Sequence, residues 1–180
     1  MTAEWSPPEN WQSRPICVLG GGVLGRRIAA CFVAAGHHVR IRDPSEKSRT
    51  QAVEYIKQNI SSFDSLLPSQ PDHEGTCEAI EDLSDAVQNC WLVFEAVPEI
   101  LPLKEATFGD LEEHAPKDCI LASNSSSFKS GELLSKVKDS TKTRVLNTHY
   151  MMPPQVLTPP VCDFAQRLSW LTVSRQSLLN

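Results

Sequence analysis

From Pro15 onward the apolar and polar positions switch between two periods, and each switch marks a new element. "ICVLG" is a continuous apolar run, suited to a strand buried on both faces. A turn rich in glycine follows (Gly20, Gly21, Gly22, Gly25). Then comes "LGRRIAACFVAAG", whose Leu24, Ile28, Cys31, Phe32 and Ala35 recur at helical spacing up to a terminating Gly36. "HHVRIRD" alternates like a strand and ends on Asp43. Beyond Pro44, "SEKSRTQAVEYIKQNISSF" predicts a second helix, "LLPSQPDHEG" a proline-broken loop, "CEAIEDL" a short strand and "SDAVQN" a turn of helix. "WLVFEAV" (Trp91 to Val97) predicts a buried strand and "LPLKEATFGDLEEHA" an amphipathic helix. "CILASN" (Cys119 to Asn124) is a strand stopping on a serine-rich turn, "SGELLSKV" is helical, and "TRVLNTHY" is the last strand. Alternating strands and helices predict an α/β fold: a Rossmann-type, doubly wound, mostly parallel sheet with helices on both faces.

Composition divides the chain and narrows its chemistry. Residues 1–14 are polar and proline-bearing and are expected to form a flexible lead, with Trp5 and Trp11 brushing a neighbouring surface. Residues 15–154 form the domain. Residues 155–180 hold no lysine, glutamate or glycine and follow no clean period, so an atypical, poorly ordered tail is expected there. With 180 residues, 41% of them hydrophobic, the chain has material for one sizeable core. A net charge of −5 gives no basic surface for nucleic acid, and no apolar run is long enough to span a membrane. The first fifteen residues match neither a secretory nor a mitochondrial leader, and the last four are SLLN, so a cytoplasmic protein is expected. Six cysteines and five histidines are scattered without ligand spacing or a disulfide frame, so no metal site is expected. A small molecule is the favoured partner.

The glycine turn carries the first specific chemistry. Gly20-x-Gly22-Val23-Leu24-Gly25 lies between a strand and a helix, where its first glycine permits a tight turn. The second leaves room for a pyrophosphate, and the third lets helix and strand pack closely. The helix N-terminus offers free amides and a positive dipole to that pyrophosphate. Asp43 ends the next strand, where a carboxylate can accept from both ribose hydroxyls, which favours NAD over NADP. Arg40 and Arg42 could accommodate an extra phosphate, but strand alternation turns them away from Ile41's side. The bland alternative is a structural turn in which Asp43 only caps the next helix.

Three further stretches fall at strand ends on the same sheet edge: "FEAVPEILPLK", "ASNSSS" and "NTHY". With "GGGVLGRRIA", they resemble in order and spacing the NAD-binding domain of the 3-hydroxyacyl-CoA dehydrogenases, over about Pro15 to Pro154. The resemblance implies NAD as cofactor and a 3-hydroxyacyl substrate that is oxidised at its hydroxyl carbon, with hydride passing to the nicotinamide. It implies that His149 is the base and that Ser126 hydrogen-bonds the substrate oxygen. It also places Glu99 and Lys104 near the cofactor. Read alone, Ser126 could serve a helix approach turn, Glu99 and Lys104 could be a surface pair, and His149 could be a structural histidine.

The chain also departs from the family pattern. The resemblance calls for a glutamate to orient the histidine, and Val161 stands at the matching position. Loss of such an orienting carboxylate costs about 10⁴ in turnover in comparable triads, so impaired turnover is expected. The helical second domain that supplies the family's main dimer contact has no counterpart after Val156, so a family-type dimer is not expected. The composition change at Gln155 is compatible with translation into an unspliced intron. Ser61 to Gly75 is short where the family's coenzyme A-binding arm belongs, and Met152 replaces an asparagine. Both differences leave open a 3-hydroxy acid without coenzyme A.

Overall fold

A computed structural model of the protein describes residues 8–65, 67 and 71–150. The expected tail at 155–180, Trp5 and part of the loop after the second helix lie outside the described residues. Six strands form one parallel sheet: β1 (Ile16–Leu19), β2 (His38–Arg42), β3 (Thr76–Ile80), β4 (Leu92–Glu95), β5 (Ile120–Ser123) and β6 (Val145–Asn147). Their order is β3-β2-β1-β4-β5-β6. The chain builds outward from β1 to β3, then returns to lay β4 on the other side of β1. At such a reversal, outside the carboxyl ends of the strands, open sheets of this kind bind ligands in a crevice.

Register aligns those ends. Arg42 pairs with Leu19, Leu19 with Glu95, Glu95 with Ser123, and Ser123 with Asn147. The residues that follow β1, β2, β4, β5 and β6 therefore emerge along one rim: Gly20, Asp43, Ala96, Asn124 and Thr148. Helices α1 (Val23–Ala34), α2 (Glu46–Asp64), α3 (Leu83–Val87) and α4 (Leu101–His114) cover the two faces, and α5 (Asp139–Lys142) is a single turn before β6. One core packs Val18, Ile41 and Phe94 with Phe32 of α1 and Ile56 of α2. The other packs Leu19, Val93 and Leu121 with Val87 of α3 and Phe108 and Leu111 of α4. Burial of both faces explains why β1, β4 and β5 read as unbroken apolar runs. Four free cysteines, Cys17, Cys31, Cys90 and Cys119, are buried in these layers, and Cys77 is partly covered. No helix among the described residues is long and apolar enough to cross a membrane.

Three expectations are corrected in detail. Residues 8–14 of the expected loose lead are anchored. Trp11 lies in a 3-10 turn with its ring 5.1 Å from Trp91, and Arg14 donates to both oxygens of Asp118, at 2.6 and 3.0 Å. The stretch read as a helix from Ser130 is a 3-10 turn, Ser130–Leu134, closed by Glu132, whose carboxylate accepts from the Lys129 amide at 2.7 Å. Serine and glycine at its start give little helix propensity, and the tighter turn still sinks Leu133 and Leu134 into the core. Helix α4 buries Lys104 and Glu112 along with Phe108 and Leu111, so its inner face is not purely apolar.

Candidate active site

At the end of β1 the glycine turn meets three different constraints. Gly20 has φ +106, and a side chain there would fall 2.6 Å from the Ala96 carbonyl oxygen. A β-carbon on Gly25 would lie 1.9 Å from the Gly20 carbonyl oxygen. Both positions are closed to any other residue by backbone. At Gly22, by contrast, an added β-carbon meets nothing within 4 Å. Gly22 is the N-cap of α1 and makes no side-chain cap, so the first amides, at Val23 and Leu24, are left for another partner. An uncapped helix start with room for close approach at Gly22 fits a pyrophosphate.

Asp43 stands beside this turn. Its Oδ2 accepts from the Gly21 amide at 2.8 Å and its Oδ1 from the Ser45 amide at 2.9 Å. The cap of α2 is Ser45, whose hydroxyl accepts from the Ser48 amide, so Asp43 is not merely a helix cap. Each carboxylate oxygen keeps a lone pair for a ribose hydroxyl. Arg40 is engaged by Glu78 and the Gln88 carbonyl, and Arg42 by the Glu81 carbonyl; all three partners lie toward β3 and α3.

Across the reversal, the ends of β4 and β5 are joined by buried charge. Glu95 is 0% exposed and Lys104 is 1% exposed. The Lys104 ammonium donates to Glu95 Oε1 at 2.6 Å and lies 3.2 Å from Glu99 Oε2. Ser123 donates its hydroxyl proton to Glu95 Oε2 at 2.6 Å, and the Val97 amide donates to Oε1 at 2.9 Å. Lys104 is thus a buried staple between two carboxylates and not a surface partner. Removing one member of such a set strands a buried charge, at a cost of about 3–5 kcal/mol. Glu99 accepts from the Ser125 hydroxyl and from the Ser127 amide at 2.9 Å. Burial alone would raise the Glu99 carboxyl, but these bonds and the Lys104 ammonium outweigh it and hold the group below the usual carboxylate range.

The serine turn then delivers Ser126 to His149. Ser126 Oγ lies 3.0 Å from His149 Nε2, and both residues are exposed on the rim. The histidine backbone is fixed from both sides. Thr148 donates its amide and hydroxyl to the Ser123 carbonyl at 2.8 and 3.0 Å. Asn124 accepts from the Tyr150 amide at 2.6 Å and donates to the Tyr150 carbonyl at 3.3 Å. Ser125, not Ser126, makes the approach turn, accepting from the Phe128 amide. Among the described residues, no hydrogen bond reaches His149 Nδ1. Val161, at the position where the resemblance calls for an orienting glutamate, lies outside the described residues.

Together, the structure places the glycine turn and Asp43 on one flank of the crevice, and Glu99, Lys104, Ser126 and His149 on the other. Val23, Ile100 and Leu103, large apolar side chains left exposed, sit at the starts of α1 and α4 on this same rim. Glu95, Ser123, Asn124, Ser125 and Thr148 were not singled out from the sequence. Their signal was there only once the register of β4, β5 and β6 was known.

The profile of the 3-hydroxyacyl-CoA dehydrogenase NAD-binding domain matches residues 15–159. The chain belongs to that family. Its sheet, glycine turn and cofactor are therefore those of an NAD-binding dehydrogenase domain. Among family relatives, a peroxisomal fatty acid beta-oxidation multifunctional protein of Arabidopsis thaliana is 29% identical over 149 residues, covering 80% of this chain and 20% of that protein. An L-carnitine dehydrogenase/betainyl-CoA thioesterase of Agrobacterium fabrum is 31% identical over 165 residues, covering 88% of this chain and 33% of the relative. The crystal structure of Mycobacterium tuberculosis FadB2 superposes with a TM-score of 0.66 at 26% identity, covering 80% of this chain and 51% of that one. The chain thus spans about a fifth to a third of these curated relatives, and about half of that solved structure.

Proposed function

We propose that the chain carries out NAD-dependent oxidation of an L-3-hydroxyacyl-CoA, or a related 3-hydroxy acid, to the 3-keto compound. The observation that carries this reading is the contact between Ser126 Oγ and His149 Nε2 at 3.0 Å on the rim of the nucleotide crevice. For His149 to act as base, Nε2 must hold a free lone pair, so the Ser126 hydroxyl is the donor in the resting site. With substrate in place, Ser126 turns its hydrogen bond to the substrate oxygen, and His149 takes the hydroxyl proton. Bound NAD supplies the acceptor for the hydride leaving the same carbon. The α1 amides at Val23 and Leu24, the open face of Gly22 and the Asp43 carboxylate hold the dinucleotide. The family assignment supports this reading.

A second reading is a domain that holds NAD without turnover. It is favoured by one observation: among the described residues no hydrogen bond reaches His149 Nδ1, the ring nitrogen that an orienting carboxylate would hold. The 31% identity to an L-carnitine dehydrogenase/betainyl-CoA thioesterase supports including a free 3-hydroxy acid among the proposed substrates.

The test is calorimetric titration of the purified chain with NAD, followed by NADH formation from 3-hydroxybutyryl-CoA and from free 3-hydroxybutyrate and L-carnitine. The oxidation reading expects binding and substrate-dependent NADH that H149A and S126A reduce by about 10² or more. Binding without any NADH supports the second reading. No binding sinks both.

A further inference from the structure

We propose that Glu99 is a positioning residue that sets the Ser126 hydroxyl against His149, an assignment that rests on the dehydrogenase reading of the site. The argument comes from where its two bonds land. Ser126 has one neighbour on each side, and both are tied to the same oxygen, Glu99 Oε1: the Ser125 side chain and the Ser127 amide. Ser126 itself bonds nothing on Glu99, so the carboxylate acts on it only through the turn. A turn gripped at both flanking residues has little freedom to swing the residue between them.

The histidine side of the pair does not depend on Glu99. Thr148 and Tyr150, the neighbours of His149, are held by the Ser123 carbonyl and by Asn124. The two catalytic residues are therefore placed by separate devices of the same design, each acting on the residues before and after. Glu99 is itself restrained by the Lys104 ammonium at 3.2 Å, which in turn is fixed by buried Glu95. This chain of contacts runs from the first turn of α4 to the serine turn.

The chemistry asks for a carboxylate here. One oxygen receives two donors while the other faces an ammonium. A glutamine can keep the two donors on its amide oxygen but must present N–H groups to Lys104. An alanine loses everything. E99Q should therefore recover most of what E99A loses.

The experiment is ¹⁵N NMR of the His149 imidazole in the full chain without cofactor, for wild type, S126A, E99A and E99Q, with NAD affinity and steady-state kinetics measured alongside. Loss of the Ser126 contact in S126A shifts the Nε2 resonance. The proposal expects E99A to shift it in the same direction and E99Q to return it most of the way. It also expects kcat in E99A to fall about 10²-fold, as misplacement by about 1 Å does, with KM little changed. An unmoved Nε2 resonance in E99A overturns the proposal, as does weakened NAD binding with kcat preserved, which would make Glu99 a cofactor ligand. If E99A does not fold, S125A removes one of the two ties and must shift the resonance in the same direction. The resonance is read without NAD or substrate, so it stands or falls separately from the dehydrogenase reading, which fails if wild type neither binds NAD nor turns over.

Discussion

Gly22 and Gly25 are three positions apart and answer to different demands. At Gly25 the backbone of the turn itself occupies the space a side chain needs; at Gly22 no protein atom lies within 4 Å of that position, which leaves room for the proposed dinucleotide. G25A is accordingly expected to destabilise the fold by about 1–3 kcal/mol, as overpacking does. G22A should stay within about 0.5 kcal/mol of wild type while weakening NAD binding about tenfold or more, a loss of at least about 1.4 kcal/mol. Denaturant unfolding and calorimetry on the two variants measure both effects, and an equal stability loss in the two would refute the distinction. This glycine pattern was legible in the sequence because its spacing falls between an apolar strand and an amphipathic helix. Glu95 and Asn124 were not legible. A glutamate closing "VFE" and an asparagine inside "ASNSSS" look like ordinary polar strand ends until the pairing of β4 with β5 sets Glu95 beside Ser123, and β6 brings Tyr150 to Asn124.

At the level of elements, periodicity found β1, β4 and β5 because burial on both faces leaves unbroken apolar runs, and β2 because its two sides alternate. It failed where polar side chains are buried in pairs. The alternative that set Lys104 of α4 in a surface pair with Glu99 fails, because Lys104 lies inside with Glu95 as its closer partner. Periodicity also missed the attachment of the N-terminal segment, since one tryptophan ring and one arginine make it. Arg14 grips Asp118 with two bonds and donates to the Asn89 and Cys90 carbonyls, tying the segment before β1 to the turns before β4 and β5. The Arg14 guanidinium holds the Asp118 carboxyl below its ordinary value. A carboxyl lowered in the folded state adds stability above the unfolded value of about 3.9 and loses it as pH falls through the lower, folded value. Wild type should therefore be more stable than D118N at pH 7, and the gap should close below about pH 4. Urea unfolding of both proteins across that range gives the answer; a gap that stays constant would mean the carboxylate charge contributes nothing. Asp118 is half exposed, so the difference will be modest.

For the molecule as a whole, doubly wound topology followed from the order of elements alone. That four distant stretches share one sheet edge followed from it as well, while the register of the strand ends shows which residues meet along that edge. The same layering that builds the rim also seals Cys17, Cys90 and Cys119 at 0% exposure. Burial pushes these thiols upward, Cys90 to about 12, away from the reactive thiolate. Iodoacetamide should therefore reach them only when the chain opens. NAD at a hundred times its Kd stabilises the closed form by about 2.7 kcal/mol, and should slow their alkylation about a hundredfold. Rapid labelling of the native protein, or labelling indifferent to NAD, would contradict this. Each sealed sulfur is thus a clock that starts only when the layers part, and a mass spectrometer counting tagged chains can read cofactor occupancy from a protein that has no coloured group and has not turned over a substrate.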